Sequence, residues 1–170
     1  MPLSRETILK IECLTSDLTQ EAYGEEARVT PPINLDKIIK FSGLTLKIGQ
    51  FDNPDIIGMY DRKQSAILLL EGDAFVRQAF TTAHELGHYY LHKDKPNEIF
   101  YRKDFYLLDD SDKSQEQEAN WFAASLLMPR ELFSVFYKKL GNIEQLAKTF
   151  HVSSTAVYFR VKNLQNLGWL

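Results

Sequence analysis

Several things are scarce in this chain, and each scarcity excludes something. There is one cysteine, Cys13, among 170 residues, so an internal disulfide is impossible. No charged segment is followed by a short apolar stretch, and no apolar run approaches the roughly 18 residues that would suggest a transmembrane helix. Acidic residues number 23 and basic residues 20, and the net charge of -3 argues against a surface built throughout for nucleic acid. Internal repeats, low-complexity tracts and clear linkers are missing too. These absences lead us to expect a cytoplasmic protein with no membrane contact. Cys13 reads as a small buried helix residue, since nothing near it suggests a base.

What is there suffices for one compact domain with a sizeable core and a small appended lobe. Ile8, Ile11, Leu14 and Leu18 recur at helical spacing behind Ser4, a cap. Thr30 and Pro31 read as the cap and first residue of a short helix carrying Leu35, Ile38 and Ile39, which Gly43 stops. The period then becomes that of strands, over residues 44–48, 56–60 and 66–70, which predicts a small, mainly antiparallel sheet. Asp73 is placed to cap a long helix over residues 74–91. Between Lys93 and Asp110 no period is clear. The aromatics there, Phe100, Tyr101, Phe105 and Tyr106, suit a flap beside an active site or a surface excursion pinned to the core. Ser114 and Gln117 have capping-box spacing for a further helix with the stripe Ala119, Phe122, Ala123, Leu126 and Leu127, ending at Met128 before Pro129. Pro129 opens another helix that Gly141 stops. The expected class is α+β, with the sheet packed on the long helix and the Glu-bearing second helix, followed by a helical lobe.

Histidine is scarce as well, four in the chain, yet three lie between Phe80 and His92 in Phe-Thr-Thr-Ala-His-Glu-Leu-Gly-His-Tyr-Tyr-Leu-His. His84 and His88 are one helical turn apart, so two imidazole nitrogens can reach one metal ion. Glu85 is out of line with them. It is placed to accept a proton from a water at the metal, the division of labour of the H-E-x-x-H pattern. An accidental pair would leave two imidazoles without partners among Phe80, Ala83, Leu86, Tyr90 and Leu91, a cost that a metal removes. Gly87 inside a helix costs about 1 kcal/mol relative to Ala, so we expect another backbone to approach it closely.

A catalytic zinc takes three protein ligands and keeps one position for water. A histidine ligand in H-E-x-x-H-x-x-G-x-x-H is excluded, because Leu91 stands at the glycine position and Asp94 at the last one. His92 has drifted around the helix and reads as a supporting or structural histidine. Glu116 and Glu118, at the start of the next helix, are the remaining candidates. Both border its apolar stripe, and periodicity slightly favours Glu116.

The segments FTTAHELGHYYLH and EQEANWFAASLLMP, in this order, resemble the paired signatures of the ImmA/IrrE-type metallopeptidases, zinc-dependent, gluzincin-like proteins of bacteria and their mobile elements. The resemblance extends more weakly over residues 40 to 165. That family's glutamate ligand falls in its Glu-Ala-Asn element, so the resemblance implies Glu118 as the third ligand, with Glu116 as the alternative. It further implies Zn²⁺ held by His84, His88 and Glu118, with Glu85 as general base, in a cytoplasmic zinc endopeptidase that cuts a repressor-like regulator. The expected organisation is a catalytic domain over 1–140, with N-terminal helices in 1–43, sheet in 44–70 and active-site helices in 74–128, and a helix-turn-helix-like lobe over 141–170 packed on it. An oxyanion donor would be a Tyr or His of the aromatic loop or of that lobe.

Two other readings compete. A helix containing Leu146 and Ala147 capped at Asn142 to Gln145, a turn at Val152 and Ser153, and a helix with Val157, Val161 and Leu164 resemble a helix-turn-helix, which suits a transcription-associated binding protein. His151 stands where a turn glycine is often found. Lys138, Lys139, Lys148, Arg160 and Lys162 face a single acidic Glu144 over residues 138–170, and DNA reading would depend on Arg160. We expect instead that the lobe packs and docks a protein substrate without reading DNA on its own, because the chain is net negative and one module makes few phosphate contacts. A purely structural zinc would explain the histidines and leave Glu85 without a purpose.

Overall fold

Ser4 caps the first helix as its spacing predicts: its side chain accepts a hydrogen bond from the Thr7 amide, and α1 runs Arg5–Tyr23. In this computed structural model, residues 3–24, 28–53, 55–93, 99–101 and 110–170 are described. After α1 come α2 (Leu35–Phe41), β1 (Thr45–Gly49), β2 (Gly58–Asp61), β3 (Ala66–Leu70), α3 (Phe75–Leu91) and β4 (Ile99–Tyr101). The chain then closes with α4 (Asp110–Leu127), α5 (Arg130–Leu140), α6 (Ile143–Phe150) and α7 (Ser154–Asn166). The class is α+β. No described helix is long and apolar enough to cross a membrane.

The sheet has the order β1-β3-β2-β4. β2 pairs antiparallel with both β3 and β4, as a mainly antiparallel sheet requires, while β3 pairs parallel with β1, so the sheet is mixed. The parallel pairing places β1 beyond β3, and periodicity carries no information on strand order. β4 falls inside the aromatic stretch that suited either a flap or a surface excursion pinned to the core. Phe105 and Tyr106 lie outside the described residues, so a flap role for them is not part of the fold described here.

Two glycines set how closely α3 is packed. A Cβ on Gly58 of β2 would run into Cγ2 of Thr81, so the first half of α3 lies directly on the sheet. On another side, a Cβ on Gly87 would stand 3.0 Å from Cα of Ala119 and 3.2 Å from Cβ of Phe122. That is the close backbone approach expected at Gly87, and the approaching element is α4. Enclosed in this way, residues 81–88 of α3 are buried without interruption.

Several local expectations change. α2 is capped by Asn34, which accepts from the Lys37 amide, and not by Thr30. α3 has no side-chain cap: Asp73 accepts from the Ala74 amide and pairs with Arg77. Ser114 lies inside α4, which already begins at Asp110, since a capping-box pattern does not exclude a helix that has started earlier. Pro129, Gly141 and Asn142 mark helix ends as expected, with Gly141 left-handed at φ 61°. His151 adopts the left-handed conformation after α6 that its place in the turn requires, at φ 53°. Cys13 is exposed on α1 and not buried. The residue before it, Glu12, is buried instead.

Glu12 is buried because of Arg160. The two make a bidentate ion pair at 2.6 and 3.0 Å. Trp121 and Ser125 of α4 also donate to Glu12, at 2.9 and 2.6 Å, and Arg160 donates to the Met128 carbonyl at 3.1 Å. Burial pushes the Glu12 carboxyl up, but Arg160, Ser125 and Trp121 reverse this and hold it below its ordinary value. The network joins α1, α4 and α7. Arg160, on which DNA reading would have depended, is thereby buried and neutralised within the fold.

Candidate metal centre

Helical spacing puts His84 and His88 on one face of α3, and the structure turns both Nε2 atoms to the same point, 3.1 Å apart. α4 supplies the third group. Glu116 lies three residues before Ala119, the residue packed on Gly87, and so shares the face of α4 that looks at α3. Its carboxylate stands 3.1 Å from Nε2 of His84 and 3.0 Å from Nε2 of His88. Tetrahedral zinc with bonds of about 2.0–2.1 Å separates its ligand atoms by about 3.3 Å, so the three donors have the spacing of one face of such a site. Among the described residues, His84, His88 and Glu116 are the group whose ligand atoms could hold a metal ion.

Glu118 is elsewhere. Two residues along a helix is more than half a turn, and its carboxylate meets Nε2 of His92 at 2.9 Å. Of the two glutamates weighed as third ligand, the structure brings Glu116, and not Glu118, to the histidine pair. Periodicity carried the right signal, since Glu116 continues the buried stripe of Ala119, Phe122, Ala123 and Leu126 one turn earlier.

Asn120, one turn after Glu116, was missed as a site residue. Its Oδ1 lies 3.0 Å from Nδ1 of His84. An amide oxygen only accepts, so His84 carries its proton on Nδ1 and turns the Nε2 lone pair toward Glu116 and His88. The detectable signal was the four-residue spacing from Glu116. Asn120 also lines a cavity of ≈ 770 Å³, together with Phe80, Trp121 and Phe159.

The charges suit a cation. Burial pushes the Glu116 carboxyl up, but the neighbouring His84 and His88 rings outweigh it and hold the group at about 2, so it is an anion. Burial pushes His88 below its ordinary value, toward the neutral form that can ligate. Two imidazole nitrogens and one carboxylate converging in a buried place form a donor set that suits zinc. Glu85 lies on the same turn of α3, fully buried.

A peptidase family model described as the IrrE N-terminal-like domain matches residues 43–162, which include both helices of the site. A solved structure of a Mycobacterium tuberculosis transcriptional regulator shares the fold, with a TM-score of 0.67 at 15% identity. The alignment covers 95% of this chain and 57% of that one, so this chain spans little more than half of that protein's length. No curated protein matches the chain.

Proposed function

This chain belongs to the family of the IrrE N-terminal-like domain, and from that premise we propose that it is a zinc-dependent endopeptidase in which His84, His88 and Glu116 hold the metal. The observation that carries the proposal is the position of the Glu116 carboxylate, about equally far from both H-E-x-x-H histidines. Asn120 orients His84 for this role. Zn²⁺ bound there supplies Lewis acidity that polarises a peptide carbonyl and lowers the pKa of water.

The remaining steps belong to the protein. Glu85 accepts a proton from the attacking water and delivers it to the nitrogen of the scissile amide. Water adds to the carbonyl carbon, the C–N bond breaks, and the products are a carboxylate and an amine. The burial of residues 81–88 keeps bulk solvent from the base and the histidines.

The proposed substrate is a repressor-like regulatory protein cut at one or few sites in the cytoplasm, and residues 141–170 serve as a lobe that docks it. Incubating the purified chain with a repressor encoded beside its gene should yield a discrete fragment, and Glu85→Gln should yield none. Cleavage that persists in Glu85→Gln would remove the proposed base. A DNA-reading role has less support. Arg160, the cation it was expected to need, is buried against Glu12, and the mycobacterial regulator extends well beyond the part this chain matches.

A further inference from the structure

Displaced from the histidine pair, Glu118 begins a chain of contacts that leads back to the same site. Its Oε2 is 2.9 Å from Nε2 of His92, and Nδ1 of His92 is 3.0 Å from Nδ1 of His88. His92 sits at the C-terminal end of α3, is 2% exposed, and has its backbone N–H on the His88 carbonyl, which holds the second ring against the first.

The direction of the hydrogen bonds follows from the first group. A carboxylate only accepts, so the proton of neutral His92 lies on Nε2 and its Nδ1 offers a lone pair. His88 must then donate from its own Nδ1. That leaves the Nε2 lone pair of His88 pointed at His84 and Glu116, the only ring nitrogen that can bind the metal there.

We propose that Glu118 and His92 form a positioning relay that fixes the tautomer and ring orientation of His88 for metal binding, as Asn120 does for His84. The inference rests on the metal-site reading above. It divides α4 into two roles: Glu116 and Asn120 act on the site directly, and Glu118 acts through His92.

The test compares two substitutions at one position. His92→Phe keeps a ring in the space and removes the acceptor, whereas the side-chain oxygen of His92→Gln can accept the same proton. Zinc affinity, measured by competition with a chromophoric chelator, should fall about 10- to 100-fold in His92→Phe. His92→Gln should recover most of that loss. A purely structural contact predicts the opposite order, with Phe at least as good as Gln, and that result would overturn the relay. Glu118→Gln, at a side chain 28% exposed, guards against a Phe variant that fails to fold. Its amide can donate as well as accept, so zinc affinity should drop by about tenfold, the low end of such effects. An unchanged affinity would also overturn the relay. Nitrogen-15 spectra of the metal-free protein read the tautomer without any metal: Nδ1–H on His88 in the wild type and His92→Gln, and a mixture in His92→Phe. A wild type with that tautomer but no affinity for zinc would sink the metal-site reading and leave the relay standing. A proton on Nε2 of His88 would sink the relay itself.

Discussion

Glu12 and Arg160 stand 148 positions apart in the chain and share two hydrogen bonds in a buried site, so the last helix is tied to the first. The contact runs along α4, where Ser125 and Trp121 complete the shell around the carboxylate. Ser125 and Trp121 belong to the same helix as Glu116, so the pair also steadies the element that carries the third donor to the site.

Breaking the pair on one side leaves an uncompensated buried charge. Arg160→Met or Glu12→Gln should therefore lower the unfolding free energy by about 3–5 kcal/mol, measured by urea denaturation. The double variant should be less destabilised than the sum of the single variants, because it strands no charge. Additive losses would mean that the pair is not coupled as the geometry states.

The pair also sets a direction in pH. The Glu12 carboxyl is depressed in the folded state relative to its ordinary value of 4.5. A depressed carboxyl contributes stability that is fully present above the ordinary value and is lost as pH falls through the folded-state value. The difference in urea midpoint between the wild type and the Glu12→Gln, Arg160→Met double variant should therefore shrink on going from neutral pH to below 4.5. A difference that is constant or grows in acid would contradict the assignment.

Gly87→Ala should destabilise the fold even though alanine is the better helix former. The added methyl would stand 3.0 Å from backbone of Ala119, which cannot move aside without displacing α4. The expected loss is about 1–3 kcal/mol, in the range of overpacked cores. Because the same contact sets the rotation of α4, zinc affinity should fall with stability. A variant as stable as the wild type would mean that the helices separate without cost.

Metal content separates the two glutamates. Elemental analysis of protein prepared without chelator should find about one zinc per chain, retained in Glu85→Gln and lost in His84→Ala and Glu116→Ala. Glu118→Ala should still bind one zinc, more weakly. Loss of metal on Glu118→Ala together with full retention on Glu116→Ala would reverse the ligand assignment.

Much of what depends on a few neighbouring residues was legible in the sequence, with the caps expected at Thr30, Asp73 and Ser114 as exceptions. The spacing of His84 and His88, the strand segments 44–48, 56–60 and 66–70, Ser4 and Asn142 as caps, Gly141 as a stop and Gly87 as a point of close approach all follow from helix or strand period and backbone sterics. For the choice between Glu116 and Glu118 the helix period gave only a slight lean to Glu116, since both border one stripe. The choice was decided by the rotation of α4 about its axis, which the contact of Gly87 with Ala119 sets. The parallel pairing of β1 with β3 and the burial of Glu12 with Arg160 are likewise tertiary. A charged residue is costly to bury alone, so each of these two reads as a surface residue until the other, at the far end of the chain, is brought against it.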